Sequence, residues 1–229
     1  MDDLFSDKVV RRQHLTREDV KGLLTSSPRK LIECNIEEED LSNLDLSRWT
    51  FEKCSLRRSD FSRAMLEGTV WQSCQGAFTQ FSDSELSQAT FTASDFNNSS
   101  FRRSTLTSAK FTGCKLTGVD MTEIRAIDIG FEEVLLVNAK FPAFSFRNAD
   151  LKRIDFSQCD LRNCDFRLAS FDDCSLREAE MSGARFHGAD LRGADLGGLR
   201  LADAGVFRGA RISRQQAAQL LGELGIDVL

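Results

Sequence analysis

"FRNADLKRIDFSQCDLRNCDF", residues 146–166, sets a Phe or Leu at every fifth position: Phe146, Leu151, Phe156, Leu161 and Phe166. An α-helix advances about 100° per residue, so a period of five scatters these side chains around its cylinder. A flat strand alternates its two faces and points them up and down in turn. Neither buries them together. The chain must turn once in five residues and bring each large apolar side chain back to the same inward aim.

The phase set by this stretch runs outward in both directions. Counted in fives from Leu31 to Val206 it has 36 positions, of which 29 are Leu or Phe. The others are Ile36, Trp71, Gly76, Met121, Ala126, Met181 and Val206, and 14 of the 18 Phe fall in phase. Two residues earlier lies a second series in which 25 of 36 positions are Ala, Cys, Ser or Thr. The remaining three positions of each repeat are mostly polar. One large and one small residue inward, with three outward, describes a tube too narrow for two large side chains per repeat.

The pattern of a small residue, then Asp or Asn, then Leu or Phe resembles the pentapeptide-repeat family over about three-quarters of the chain. The resemblance implies an all-β fold, a right-handed quadrilateral parallel β-helix with four repeats per coil, hence about nine coils. At the roughly 4.8 Å spacing of paired strands this is a rod about 43 Å long. Written in rows of 20, the sequence gives one column of Leu31, Phe51, Trp71, Phe91, Phe111, Phe131, Leu151, Phe171 and Leu191, as ring stacking favours. The expected organisation is an N-terminal capping segment over 1–30, the β-helix over 31–211, and a C-terminal dimerisation helix and tail over 212–229.

The ends carry helix signals. In "LTREDVKGLL", Thr16 is an N-cap with Asp19 three residues on. A short helix there would cover the open end of a repeat tube. Ser213 with Gln216 makes a capping box, and Ala217, Leu220, Leu221 and Leu224 line one helical face before Gly225 and a tail containing Ile226 and Val228. That apolar stripe either plugs the tube or joins a second copy; Ala217, Leu220, Leu221, Leu224, Ile226 and Val228 are the expected dimer contacts. All seven cysteines sit in the small-residue series. Cys34, Cys54 and Cys74 would stack within disulfide reach, yet in phase they read as small core residues.

Two stretches bend the pattern. In 119–137 the small series becomes Val119, Ile124, Ile129 and Val134 while Ala126 takes a large position, which means distorted coils or a bulge. Local repacking and a contact surface both explain it. In 74–81, Gly76 takes a core position and Phe78 an outward one.

The chain has no Tyr and two distant His. It has no P-loop or Gly-rich phosphate cradle, and its carboxylates fall one per repeat, so no enzyme, metal site or cofactor is expected. No run of 18 apolar residues and no signal peptide is visible, which leaves the cytoplasm as the expected location. The formal charge of −5 argues against a nucleic-acid binder. "FSRAML", 61–66, and "LLGELGIDVL", 220–229, look like stretches of the Qnr and MfpA-like branch. That likeness implies a DNA-mimicking homodimer joined through its C-terminal helices. It would occupy the DNA-binding region of DNA gyrase or topoisomerase IV and protect it from quinolones or natural-product poisons. Qnr-type proteins often carry loops that break the repeat phase; the unbroken phase here favours self-immunity at least as much. A generic scaffold with an unrelated partner is the alternative.

Magnitudes limit the mimicry. Duplex DNA carries about one charge per 1.7 Å, so a doubled rod of roughly 85 Å would mimic about 50 charges. A dimer carries twice −5. Recognition must then rest on local acidic stripes, such as Asp60, Asp120, Asp160 and Glu180 in one column, and on Glu123, Asp128, Glu132 and Glu133 in the irregular stretch. The densest acidic patch is Glu33, Glu37, Glu38, Glu39, Asp40 and Asp45.

Overall fold

The structure is a computed structural model and describes residues 9–24, 27–198, 205–223 and 225–227. The chain divides into two compact units, Met1–Gly130 and Phe131–Leu229.

Among the described residues of the first unit six short strands pair in parallel and in chain order: β1 Val9–Arg11, β2 Lys30–Ile32, β3 Thr50–Glu52, β4 Val70–Gln72, β5 Thr90–Thr92 and β6 Lys110–Thr112. Leu31 faces Phe51, then Trp71, Phe91 and Phe111, each 20 residues on. Single bridges repeat this register on three further sides, as Asn35–Ser55–Gln75, Asp40–Asp60–Gln80 and Met65–Glu85–Thr105. Four five-residue sides therefore make each coil. In the second unit β8 Asp150–Lys152 lies between β7 Gly130–Glu132 and β9 Ser170–Asp172, and β10 Cys174–Ser175 pairs with β11 Ala194–Asp195. The fold is the parallel β-solenoid that the five-residue phase requires.

Among the described residues every corner but that at Gly193 is turned by one residue in the left-handed region. Twenty-eight non-glycine residues among those described have φ between 49° and 65°, and all except Arg12 stand two places after a large core position. Such a backbone costs an L-residue about 1–2 kcal/mol. It persists because the turn is held twice. The amide after the core residue's neighbour donates to the next coil, as from Asn43 to the carbonyl of Ser62, and an outward Asp caps the turn from within, as Asp60 accepts from the Ser62 N–H.

The interior is a set of stacked rings. Phe51 lies 4.1 Å from Trp71, and Phe91 lies 4.6 Å from Phe111. Phe81 lies 4.8 Å from Phe101, while neighbouring columns meet edge to face. In the second unit Phe146, Phe166 and Phe186 stack at 4.9 and 4.8 Å. Gly76 is explained by the coil beside it. The Phe96 ring occupies the space a side chain at 76 would need, and a Cβ there would lie 2.1 Å from Phe96 Cε1. A missing side chain and an added ring keep the summed volume filled.

The small positions satisfy their own polar atoms. Ser59, Thr79 and Ser94 hydroxyls donate to the carbonyls of Ile36, Leu56 and Trp71. Cys159 and Cys164 thiols donate likewise to Leu136 and Phe141 at 2.8 and 3.0 Å. All seven cysteines are free and buried. Burial pushes the Cys159 and Cys164 thiols up to about 12.

The ends differ from the middle. β1 pairs with β2 at a spacing of 21 residues, not 20, and the longer coil contains α1, Arg17–Gly22. Thr16 and Asp19 form a reciprocal capping box there. The Arg17 N–H donates to Glu39, and its guanidinium reaches Asp40 and the carbonyl of Ser42. The last coil corrects the unbroken phase. Phe207, not Val206, meets the Phe186 ring, tilted by 33° at 4.8 Å, and Asp190 bridges Arg211, each 21 residues on. One added residue thus separates the ladder from the count in fives.

In 119–130 the register holds: Arg125 donates to Ser104, Gly130 to Ala109, and Glu123 and Asp128 turn the corners. The coil is distorted, not looped out. Ile124, Ala126 and Ile129 are half-buried where other coils are closed, and Ile127 is 69% exposed. Branched side chains at small positions and a methyl at a large one do not fill the interior. In the second unit Val134 and Leu136 are fully buried again.

Candidate partner-binding surfaces

The outward residues fall into those engaged between coils and those left over. Asp60 and Asp120 share a side of the first unit, but Gln80 and Ser100 intervene, and the coil neighbour of Asp60 is Asp40. Asp60 and Asp120 each cap their own turn, accepting from Ser62 and Thr122. In the second unit Asp160 and Glu180 are direct neighbours, with Lys140 on the far side of Asp160. The Arg162 guanidinium forks onto Asp160 at 2.7 and 2.8 Å and holds its carboxyl below the usual range. Glu180 accepts from Ser182, which lowers it too.

Glu123 and Asp128 are exposed corner residues. Glu123 ends an alternating ladder of Arg63, Asp83, Arg103 and Glu123, in which Arg103 binds Asp83 at 2.7 and 2.8 Å. The carboxylate of Asp83 is lowered by Arg103, and Arg103 is raised by it. Glu132 and Glu133 share Arg153, at 3.1 and 2.8 Å. The acidic N-terminal patch is partly neutralised: Arg12 holds Glu33, Arg17 holds Asp40, and Arg58 lies 3.4 Å from Glu38. The repeat of 20 could have shown this ladder, since Arg63, Asp83, Arg103 and Glu123 are one coil apart.

Position and charge alone did not mark the deepest cluster. Asp165 occupies an outward position yet is only 7% exposed. It accepts two bonds from the Arg167 guanidinium, one from the Arg167 backbone N–H and one from Arg185, and Arg167 chiefly depresses it to about 2. Phe78 is exposed under the Arg58 guanidinium, as its outward position implied, whereas the exposed apolar side chains of Met65, Leu135 and Leu168 were missed.

At the C-terminus α2, Arg214–Gly222, begins with a capping box between Ser213 and Gln216. The Gln216 amide also donates to the carbonyls of Leu191 and Ala194, which ties the helix to the last coils. None of its residues is buried. Ala217, Leu220 and Leu221 are half-buried, and Ile226 is 49% exposed. Leu224 and Val228 lie outside the described residues.

Among the described residues no group of His, Cys, Asp or Glu gathers as metal ligands do, and no helix is long and apolar enough to cross a membrane.

A parallel solenoid with five residues per side defines the class. The pentapeptide repeat region model matches residues 44–121 and 124–205, well over half of the chain. The chain belongs to the pentapeptide-repeat family. No curated protein sequence matches it. Among solved structures it is similar to full-length QnrB1, a plasmid-mediated fluoroquinolone resistance protein, at 18% identity and a TM-score of 0.58, over 95% of this chain and 97% of that one. A trypsin-treated variant of QnrB1 gives 18% identity and 0.59, over 96% and 97%. HetL, a pentapeptide repeat protein involved in heterocyst differentiation regulation from the cyanobacterium Nostoc sp. strain PCC 7120, gives 20% and 0.58, over 81% and 86%. These likenesses concern the fold.

Proposed function

We propose that this chain is a non-catalytic, DNA-mimicking topoisomerase protector. It forms a homodimer through 212–229, occupies the DNA-binding region of DNA gyrase, with topoisomerase IV as a second target, and lowers the damage done by a gyrase poison. The poison is either a natural product, in which case the protein is a self-immunity factor, or a quinolone. It acts in the cytoplasm. The observation that carries the reading is α2, a helix opened by a capping box and tethered through Gln216, whose apolar residues stay half-exposed. A plug would bury them; a second copy would cover them. The likeness of "LLGELGIDVL" to the Qnr and MfpA-like branch and the structural similarity to a fluoroquinolone resistance protein support the same reading. The acidic contacts are Asp60, Asp120, Glu123, Asp128, Glu132, Glu133, Asp160 and Glu180.

The test is a supercoiling and cleavage assay with purified gyrase, with and without a panel of poisons. Protection by the wild-type protein, weakened in Glu123→Ala, Asp128→Ala, is expected, because exposed corner residues contribute little to the core. Protein that neither binds gyrase nor changes poison-induced cleavage at any salt concentration refutes the reading and leaves the scaffold role.

A further inference from the structure

One side of the second unit has the opposite sign. Arg147, Arg167, His187 and Arg208 stand at the same outward place in successive coils, as the Asn148–Arg167 and Leu168–His187 backbone bonds and the Phe186–Phe207 ring contact show. Arg185 lies in the adjoining column, bridged to Asp165. The strip thus holds four guanidiniums and one carboxylate, Asp165, which is buried beneath Arg167 and Arg185. Elsewhere in this unit Arg153, Arg162, Arg177 and Arg192 each have an acidic partner, whereas Arg147 and Arg208 have none among the described residues.

The strip is not only basic. Arg167, Arg185, His187 and Arg208 rim a shallow groove in which Val206 is half-buried, over the buried Ala184 and Phe186. Beside it Leu168 is 53% exposed at a left-handed corner. Its side chain folds over the next corner, where a Cβ on Gly188 would lie 2.7 Å from Leu168 Cδ2. Glycine there leaves the leucine room to lie across the strip.

We propose that this strip binds an acidic protein segment that also carries an apolar side chain. Guanidiniums at coil spacing recognise carboxylates with directed paired bonds. Val206 and Leu168 offer an apolar residue exposed carbon to pack on, a contact that a phosphodiester backbone does not use. A net charge of −5 over the chain also opposes a long polyanion but not a short acidic segment. The proposal stands apart from the gyrase reading, and either can fail alone.

The experiment uses the full chain and a fluorescein-labelled peptide of alternating glutamate and leucine, read by anisotropy. Saturable binding that weakens as salt rises is expected. Arg147→Glu, Arg208→Glu should weaken it at least tenfold, since neither guanidinium supports the fold. Leu168→Ser should weaken it severalfold with the salt slope unchanged, and Arg102→Glu in the first unit should leave it as it was. Absence of saturable binding, equal binding by the double variant, or tighter binding of a duplex of matched charge would overturn the proposal; the last would make the strip a nucleic-acid surface.

Discussion

A single methyl group at position 76 tests the packing logic of the first unit. In Gly76→Ala the new Cβ would stand 2.1 Å from Phe96 Cε1 and 2.4 Å from Cδ1, against about 3.5–4.0 Å for relaxed carbon contacts. The ring must move by more than 1 Å by that comparison, and it has nowhere to go. Phe91, Phe81 and Trp71 hold it at centroid distances of 5.3, 5.7 and 6.0 Å. Overpacking of this kind costs about 1–3 kcal/mol, and a methyl placed inside a ring belongs at the upper end. Gly76 has no left-handed φ, so alanine adds no backbone strain and restricts the unfolded chain, which returns about 0.4–1 kcal/mol. The expected net loss is about 2 kcal/mol. Urea unfolding followed by the fluorescence of Trp49 and Trp71 reads it, both tryptophans lying in this unit. Phe96→Leu alone should destabilise by opening a cavity. Gly76→Ala, Phe96→Leu together should be more stable than the sum of the two losses by at least about 1 kcal/mol, since each relieves the other. Additive losses, or a neutral Gly76→Ala, would refute the view that residue 76 is small because residue 96 is large.

Acid should loosen the second unit through Asp165. Its carboxyl is lowered from 3.8 to about 2 by Arg167 and Arg185, so its contribution is full above pH 4 and is lost as pH falls through 2; the shift corresponds to about 2 kcal/mol, and Asp165→Asn should remove that part of the acid dependence in unfolding measured from pH 7 to 2. Thiol reagents should label the seven cysteines slowly in the native protein and rapidly in denaturant, because burial holds Cys159 and Cys164 near 12; fast native labelling would place them outside the core. Light scattering should show a dimer at micromolar concentration and a monomer for Leu220→Asp, Ile226→Asp with unchanged circular dichroism; a monomeric wild-type protein would remove the dimer.

The core was legible because it obeys one spatial rule. A side chain every five residues can be buried only by a chain that turns every five residues, and the stacking of Phe51 on Trp71 and Phe91 on Phe111 follows from rows of 20. What the period does not encode is compensation between rows, so Gly76 read as an irregularity until Phe96 was found filling its place. The added residue in the last coil was equally hidden, because Val206 is apolar and satisfies the count while Phe207 meets the Phe186 ring. Of the candidate surface, the sequence located the carboxylates and not their partners. Asp160 looked free in a row of acids, yet Arg162 two residues on folds back onto it. Asp165 looked like its neighbours and proved to be buried, because two arginines from different coils cover it.

The same distinction indicates where recognition on this solenoid resides. Outward positions are numerous, but the fold itself engages many of them. Carboxylates at the bridge positions close turns, and charges at the corners pair with the coil above or below, as Arg103 does with Asp83. A partner that displaced such a bond would lose on one contact what it gained on another, and exposed pairs are worth only about 0.2–1 kcal/mol to begin with. Groups that the solenoid does not use carry no such cost. Asp128, Arg147 and Arg208 have no ion pair among the described residues, and Ile127 and Leu168 are more than half exposed. Within each unit these residues, rather than the more abundant paired acids, are where substitution should change binding without changing stability.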